Sequence, residues 1–233
     1  MSETETIDTP VGQCRLHRTG RRTLAISVLP DGVIELVAPR NARREDIAAK
    51  VGKRGRWILT QRRRFAEMNR DRAPLRYESG ATHRYLGRQY RLKVTKGHTP
   101  GVRLFGAYFH VTARTGKPAE VETLLDVWMR ARAIDQFTAR VAKWASWCHD
   151  RGLPASQVRL RQMPKRWGSS HGDGRIYLNP SLVRAPSICI DYVIAHEICH
   201  LRHPQHDCAF FGLLDQTFPG WRKVKARLES GDF

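Results

Sequence analysis

The segment His196-Glu197-Ile198-Cys199-His200 is the most informative stretch of this 233-residue sequence. Because an α-helix has about 3.6 residues per turn, His196 and His200 lie one turn apart on one face, with Glu197 beside them. The apolar residues 193–195 predict that the helix is buried at this point, where unpaired imidazoles would be costly. The spacing therefore predicts a metal site on this helix.

The residue types indicate which metal is bound. Zinc accepts neutral imidazole nitrogens, and catalytic zinc sites keep three protein ligands and an open position for water. The ion lowers the pKa of that water towards neutrality, and an adjacent carboxylate can take its proton. We therefore predict one Zn²⁺ ion held by His196 and His200, with Glu197 as the general base of a hydrolase.

A third ligand is predicted from the proline that follows the helix. On a straight helix His203 would lie about 10 Å along the axis from His196, too far for one ion. Pro204 disfavours helical geometry at His203 and interrupts the hydrogen-bond ladder, so the chain can turn back and present His206. His206 is the predicted ligand, and Glu229, the only glutamate further downstream, is the alternative.

Other side chains near the motif have less specific interpretations. Cys199 and Cys208 are interpreted as packing residues. Asp207 and Asp215 are candidates for orienting the imidazoles through their second ring nitrogens. The candidates for stabilising a developing oxyanion are Tyr177, Tyr192 and Arg166.

The elements on either side of the motif predict how its helix is supported. Residues 158–178 predict an antiparallel strand pair with a turn at Asp173-Gly174. Pro186 introduces the helix that carries the motif, and the apolar residues 210–214 predict a short helix that packs beneath it.

The first half of the chain is predicted to be rich in strands. Residues 24–28 and 33–37 flank Pro30-Asp31-Gly32 and predict a β-hairpin. A single helix is predicted over about 43–70, because four apolar residues share one side of it: Ile47, Val51, Ile58 and Phe65. Further strands are predicted near residues 85–94, 102–104 and 108–111.

A domain boundary is predicted at Gly116-Lys117-Pro118. A long amphipathic helix follows it, with apolar residues every three or four positions over 121–148. The predicted fold class is α+β, with a β-rich region containing one helix over residues 1–116 and a helical, metal-binding half with an antiparallel hairpin over residues 117–233.

Composition narrows the cellular context. The five cysteines form no CxxC pair, which is typical of a reducing compartment rather than a disulfide framework. No stretch approaches the roughly 20 apolar residues of a membrane span, and residues 1–10 lack the pattern of a signal peptide. We expect a cytoplasmic protein with no membrane partner.

The formal net charge of +19 predicts attraction to polyanions. Nine Lys and 32 Arg supply the basic residues, and so strong an Arg bias can also reflect genome base composition. We therefore expect at most a weak association with nucleic acid through a basic surface, beside a peptide or nucleotide substrate.

Several separated segments together resemble one known family. They include residues 165–169 (KRWGS), Asn179, residues 191–201, His206, and Phe210 or Phe211. These segments resemble the YgjP-like metallopeptidases, and so do the hairpin up to Pro39, residues 57–59 and residues 85–90. The resemblance covers most of the chain. The SprT-like and Wss1-type proteases are more distant relatives.

The resemblance implies a zincin-like second half in which His196, His200 and His206 are ligands and Glu197 is the general base. It also implies substrate contacts from the segment near the cleft and from one asparagine: Lys165, Arg166, Trp167, Gly168, Ser169 and Asn179. The sequence departs from the family where Ser170 stands in place of a frequent Cys, and where Pro180 replaces a bulkier residue.

Three functions are compatible with these residues. The first is a metallopeptidase, in which the strand pair of residues 158–178 borders the cleft and pairs with an extended peptide. The second is a UTP pyrophosphohydrolase, an activity also attached to the family's name, in which Lys165 and Arg166 would bind phosphates. The third is a basic nucleic-acid-binding protein with a structural zinc, although such a site does not need Glu197.

Overall fold

A computed structural model of the protein describes residues 4–29, 31–70, 75–154, 156–163 and 166–231. These residues form seven α-helices and three mixed β-sheets. The predicted α+β class is confirmed. Contacts between Cα atoms divide the chain into two units, Met1–Ala73 and Pro74–Phe233. The boundary predicted at residues 116 and 117 falls inside the second unit, because the strands of residues 82–113 share a hydrophobic core with the helices that follow them.

The first unit is a four-stranded sheet followed by two helices. The elements are β1 (Thr4–Thr9), β2 (Gly12–Thr19), β3 (Ala25–Val28), β4 (Ile34–Pro39), α1 (Arg44–Lys53) and α2 (Gly55–Arg70). The strand order is β1-β2-β4-β3, with β2 parallel to β4 and the other neighbours antiparallel. The predicted hairpin is therefore present as β3 and β4, while Pro30 in its turn lies outside the described residues.

The helix predicted over about 43–70 is two helices that meet at Arg54. The reason lies in the glycines on either side, which are poor helix formers and leave room for the β1–β2 turn. A methyl group on Gly52 would come within 3.4 Å of Pro10, and one on Gly55 within 3.2 Å of Val11. Three of the four predicted core residues are buried, namely Ile47, Val51 and Ile58, and the side chain of Phe65 lies outside the described residues.

The second unit begins with a sheet of the same strand order. Its strands are β5 (Thr82–Tyr85), β6 (Arg88–Lys96), β7 (Gly101–Phe105) and β8 (Tyr108–Ala113), arranged β5-β6-β8-β7. The long helix α3 (Pro118–Ala142) packs on one face, where Leu92, Phe109 and Val111 are buried against Leu125. α3 ends earlier than the apolar pattern, and a short helix, α4 (Ala145–His149), continues the chain.

Glu120, in the first turn of α3, accepts hydrogen bonds from the connection between β8 and α3. Its carboxylate receives the backbone N–H groups of Arg114 (2.7 Å), Thr115 (2.8 Å) and Gly116 (3.2 Å), and also the Thr115 hydroxyl. These hydrogen bonds, led by that of the Thr115 side chain, lower the pKa of Glu120 from 4.5 to about 2. The ionised carboxylate therefore stabilises the N-terminus of α3, directly after the connection from β8.

Replacing Glu120 by Gln is expected to lower the thermal midpoint at pH 7, because a neutral amide accepts these hydrogen bonds more weakly. Since the folded pKa lies below the unfolded value, the stabilisation is present above about pH 4.5 and is lost as the pH falls towards 2. Thermal unfolding of both proteins between pH 7 and pH 3 measures this. A difference in midpoint that stays constant or grows on acidification would contradict the assignment.

The remaining elements bring strands and helices around the motif. They are β9 (Gln157–Leu160), β10 (Gly168–Ser170), β11 (Arg175–Leu178), a 3₁₀ helix (Pro180–Arg184), α5 (Ser187–Arg202), α6 (Cys208–Thr217) and α7 (Trp221–Ser230). The predicted antiparallel hairpin is present as β10 and β11, but β9 lies on the other side of β11 and runs parallel to it. None of the described helices is long and apolar enough to cross a membrane.

Candidate metal centre

Helix α5 carries the motif and ends where Pro204 predicts. Its residues 192–195 are buried, and the last helical residue is Arg202. His203 is extended (φ −125°, ψ 97°), since the residue before a proline avoids helical geometry. The chain then turns back, and α6 begins four residues after Pro204.

This turn brings three imidazoles together. Nε2 of His206 lies 3.0 Å from Nε2 of His196 and 3.1 Å from Nε2 of His200, and ligand atoms of the three side chains all lie within 4.8 Å of one another. Two nitrogens bound tetrahedrally to one zinc at 2.0–2.1 Å would be about 3.3 Å apart. The spacing of the three nitrogens therefore fits a single ion.

The ring orientation of His200 is set by a backbone carbonyl. Its Nδ1 lies 3.0 Å from the carbonyl oxygen of His203. Because a carbonyl only accepts hydrogen bonds, Nδ1 must carry the proton, and Nε2 of the neutral ring keeps its lone pair. The C-terminal end of α5, where the chain turns back towards His206, thus also fixes the ring orientation of His200.

Phe210 on α6 is the apolar floor beneath the three rings. It is fully buried, and its ring centroid lies 5.0 Å from that of His196, 4.4 Å from His200 and 4.7 Å from His206. The predicted short helix beneath the motif is therefore confirmed as α6. Packing of this kind restricts the rotamers of the imidazoles and excludes water from one side of them.

Glu197 lies against strand β10 and is 5% exposed. Its carboxylate accepts hydrogen bonds from the side chain and the backbone of Ser170. Gly168 allows the close approach, since a methyl group there would lie 2.7 Å from Cγ and Oε1 of Glu197. The carboxylate is thus held next to the imidazole cluster by a strand that is distant in sequence.

With this geometry established, comparisons with known proteins identify the family. The sequence profile of the YgjP-like metallopeptidase domain matches residues 22–231. The chain belongs to the YgjP-like metallopeptidase family. At family level it is therefore a metal-dependent hydrolase of the metallopeptidase class.

Two further comparisons add little to the YgjP-like assignment. Among curated proteins none matches the chain. Among solved structures, the metallopeptidase zymogen of Pyrococcus abyssi abylysin is 18% identical, covering 46% of this chain and 93% of that chain with a TM-score of 0.32.

Two of the three imidazoles, those of His196 and His200, are held in the neutral form chiefly by burial. Burial, followed by the neighbouring His200 and His206, lowers the pKa of His196 to about 3. Burial also lowers the pKa of His200. Neutral imidazoles present lone pairs at pH 7, which is the form that binds a metal.

The pKa of Glu197 shifts in the opposite direction, upwards from its ordinary value. Burial raises its pKa to about 7, and the hydrogen bonds from Ser170 and the positive charge of Arg166 oppose that rise. A carboxylate with a pKa near the working pH is well matched to accepting and returning a proton.

The centre opens into a cleft of about 630 Å³ in this YgjP-like domain. Strand β10 and the residues before it form one wall, and α7 contributes to the lining as well. Of the residues predicted to contact substrate, four line the cleft: Arg166, Trp167, Gly168 and Ser169. Tyr192 and Arg166, two of the predicted oxyanion candidates, also line it.

Other predicted residues are placed elsewhere. Asn179 does not line the cleft and is 6% exposed; its amide donates to the carbonyl oxygen of Met163 (2.7 Å), and its Oδ1 accepts from the backbone of Ser181 (3.1 Å). These hydrogen bonds hold the segment before β10. Tyr177 likewise lies outside the cleft lining, with its ring against His171. Lys165 lies outside the described residues.

The proposed orienting aspartates serve other purposes. Asp207 accepts a hydrogen bond from the backbone of Phe210 (2.9 Å) and caps the start of α6. Asp215 accepts from Trp221 (2.8 Å) and pairs with Arg222 (2.6 Å). Cys199 is fully buried, in agreement with a packing residue, whereas Cys208 is exposed.

Two parts of the site were not predicted from the sequence. Ser170 was noted only as a departure from the YgjP-like pattern, yet it bonds to Glu197. Helix α7 contributes Lys225, Leu228 and Glu229 to the cleft, about 30 residues after the motif. Only Glu229 has a role predicted from the sequence, as the alternative third ligand, and it is not a member of the imidazole cluster. Lys225 is three residues before Leu228 and four before Glu229, which predicts that they share one face of a helix. No local sequence pattern indicates that this face lines the cleft.

Replacing Gly168 by Ala is expected to lower kcat by about 100-fold while the zinc content stays unchanged. The added methyl group would overlap Glu197 and displace its carboxylate, because its three nearest atoms all belong to Glu197 and none to an imidazole. Steady-state kinetics and elemental analysis of the purified variant measure both quantities.

Gly172→Ala is the matched control. Gly172 also lines the cleft, but a methyl group there meets nothing within 4 Å. It should retain nearly full activity. If both variants behave alike, the close contact between β10 and Glu197 does not matter for the reaction.

Proposed function

We propose that this chain is a zinc-dependent peptidase that uses Glu197 as its general base. The observation that carries the proposal is the convergence of three imidazole nitrogens, in which Nε2 of His196 and Nε2 of His200 lie 3.0 and 3.1 Å from Nε2 of His206. They stand beside a buried carboxylate and line a cleft. His196, His200 and His206 would hold the ion, and imidazole nitrogen donors suit zinc.

Three protein ligands favour a catalytic over a structural role for the metal. Structural zinc sites are usually closed by four protein ligands, whereas catalytic sites keep one position open. Among the described residues, the cluster has three members, and Glu197 stands next to it without belonging to it. The alternative of a purely structural zinc leaves this buried carboxylate without a purpose.

The protein groups suit hydrolysis of an amide. When bound, zinc supplies a Lewis acid that polarises a substrate carbonyl and lowers the pKa of water towards neutrality. The Glu197 carboxylate takes the proton from the attacking water and then delivers it to the departing amine nitrogen. Ser170 keeps the carboxylate directed at the cleft through its two hydrogen bonds.

The position of β10 favours a peptide as the substrate. β10 is an edge strand, paired on one side with β11, and its residues line the cleft. An edge strand offers backbone hydrogen-bonding groups along which an extended peptide can lie. Gly168 and Ser169 would contact the peptide backbone, and Arg166 and Trp167 its side chains.

Hydrolysis of a nucleoside triphosphate such as UTP is the second candidate. It is favoured by two cationic side chains in the cleft lining, Arg166 and Lys225. Guanidinium groups bind phosphate oxygens with paired hydrogen bonds. The sequence has no glycine-rich phosphate loop, so side chains and metal alone would have to bind the triphosphate.

Parallel assays with zinc-loaded protein distinguish these functions. We expect an unstructured protein such as casein to be cleaved into fragments identified by mass spectrometry, with no pyrophosphate released from UTP, and Glu197→Gln to be inactive. Intact casein together with Glu197-dependent release of pyrophosphate would replace the first function by the second. Inactivity on both would refute a hydrolase.

A further inference from the structure

The sheet β5–β8 has one face that the core does not use. Its inner face packs against α3, and residues alternate along each strand, so the register identifies which side chains share the outer face. One row contains Arg91, Tyr108 and Phe105, and the next contains Lys93, His110 and Arg103. We call these six residues the aromatic-basic face.

The rings on this face are exposed to an unusual degree. Phe105 is 78% exposed and Tyr108 is 42% exposed. His110 lies in the next row, with ring centroids 6.5 Å from Phe105 and 6.0 Å from Tyr108. Exposed clustered rings mark a site of interaction more often than isolated apolar residues do.

The charge of the surrounding segment is uniformly positive. Residues 81–119 contain eight Lys or Arg residues and no Asp or Glu. Arg91, Lys93 and Arg103 are exposed, and no ion pair joins any of the three to another residue in the part of the chain that the structure describes. No carboxylate of this segment therefore competes with an anion for the face.

A groove beside the edge strand β7 is also lined by aromatic and basic side chains. Its volume is about 700 Å³, and Arg103, Phe105 and His110 line it together with Trp128 and Arg132 of α3. The Arg132 guanidinium lies 6.0 Å from the centre of the Trp128 ring. Aromatic rings and cationic side chains thus occur together both on the face and in the groove.

We propose that the aromatic-basic face binds single-stranded nucleic acid independently of base sequence. Phe105 and Tyr108 stack on bases, and Arg91, Lys93 and Arg103 contact phosphates. A single strand supplies both an anion and a flat ring at every nucleotide, which is the combination that such surfaces recognise. A second copy of this chain would bring another strongly positive surface and be repelled.

Duplex nucleic acid fits the face less well. Its bases are already stacked on each other, so exposed rings on a sheet cannot reach their faces. The proposal therefore predicts a preference for single strands over duplex at equal length. It is independent of the peptidase proposal, because none of these residues lines the cleft at the metal centre.

The test is fluorescence anisotropy of a labelled 15-residue oligo(dT) with the full chain. The double variant Phe105→Ala with Tyr108→Ala removes rings but no charge, so it should raise Kd by at least about tenfold and leave the salt dependence unchanged. Arg103→Ala should raise Kd and reduce the slope of log Kd against log salt by about one. Lys223→Ala, an exposed cation on α7, is the matched charge control and should bind as the wild type does.

Circular dichroism and thermal unfolding check that the variants fold as the wild type does, which is expected because the replaced rings are exposed. Wild-type protein that fails to bind oligo(dT), or that binds a duplex of the same length as tightly, overturns the proposal. So does a double aromatic variant that binds with unchanged affinity, because attraction would then come from charge alone.

Discussion

Replacing Glu197 by Gln is expected to lower kcat by about 10²–10⁴-fold, the range that a positioned general base contributes. Gln has nearly the same shape and can accept the hydrogen bonds from Ser170, but it cannot take a proton. Glu197 does not belong to the imidazole cluster, so the variant should still bind one zinc ion per chain. Steady-state kinetics on a cleaved peptide and elemental analysis measure the two properties.

The same substitution at the other glutamate of the cleft is the matched control. Glu229 lines the cleft from α7 and pairs with Lys225 at 3.8 Å. Glu229→Gln should change kcat by less than about tenfold, because this carboxylate is exposed and is not a member of the cluster. Equal losses in the two variants would mean that Glu197 has no special role.

Replacing His206 by Ala is expected to weaken zinc binding by at least about 100-fold and to abolish activity. Loss of a group that merely orients a ligand typically costs 10–100-fold in affinity, and loss of a ligand costs more. Competition with a chelator of known affinity measures the change. The thermal midpoint should also become independent of added zinc, since a metal that binds only the folded state stabilises it.

His203→Ala tests whether the turn after α5, rather than histidine content, creates the site. His203 is three residues from His206, and its carbonyl oxygen accepts the hydrogen bond from His200 Nδ1. Alanine keeps that carbonyl, so zinc affinity should remain close to that of the wild type. If His203→Ala loses zinc and His206→Ala keeps it, the assignment of the third ligand is wrong.

The two four-stranded sheets show where sequence patterns stop being informative. Their strand orders, β1-β2-β4-β3 and β5-β6-β8-β7, are equivalent, and each sheet is followed by helices. No internal repeat is visible in the sequence. Strand pairing depends on backbone hydrogen bonds that any residue can make, so a shared topology need not leave a shared side-chain pattern.

The local part of the candidate metal centre follows from the sequence alone. The helical period places His196, Glu197 and His200 on neighbouring positions, and Pro204 ends the helix so that His206 can return. These arguments succeed because helix geometry and the steric limits around proline act over only a few residues.

Tertiary structure alone decided the rest of the site. It placed Gly168 and Ser170 against Glu197. It buried Asn179 where the side chain supports the segment before β10, and it placed residues of α7 in the lining of the cleft. It also separated the helix of residues 43–70 at Arg54 and put the unit boundary near residue 73 rather than 116. These outcomes depend on contacts between segments far apart in the chain, and periodicity within one segment does not encode which surfaces will meet.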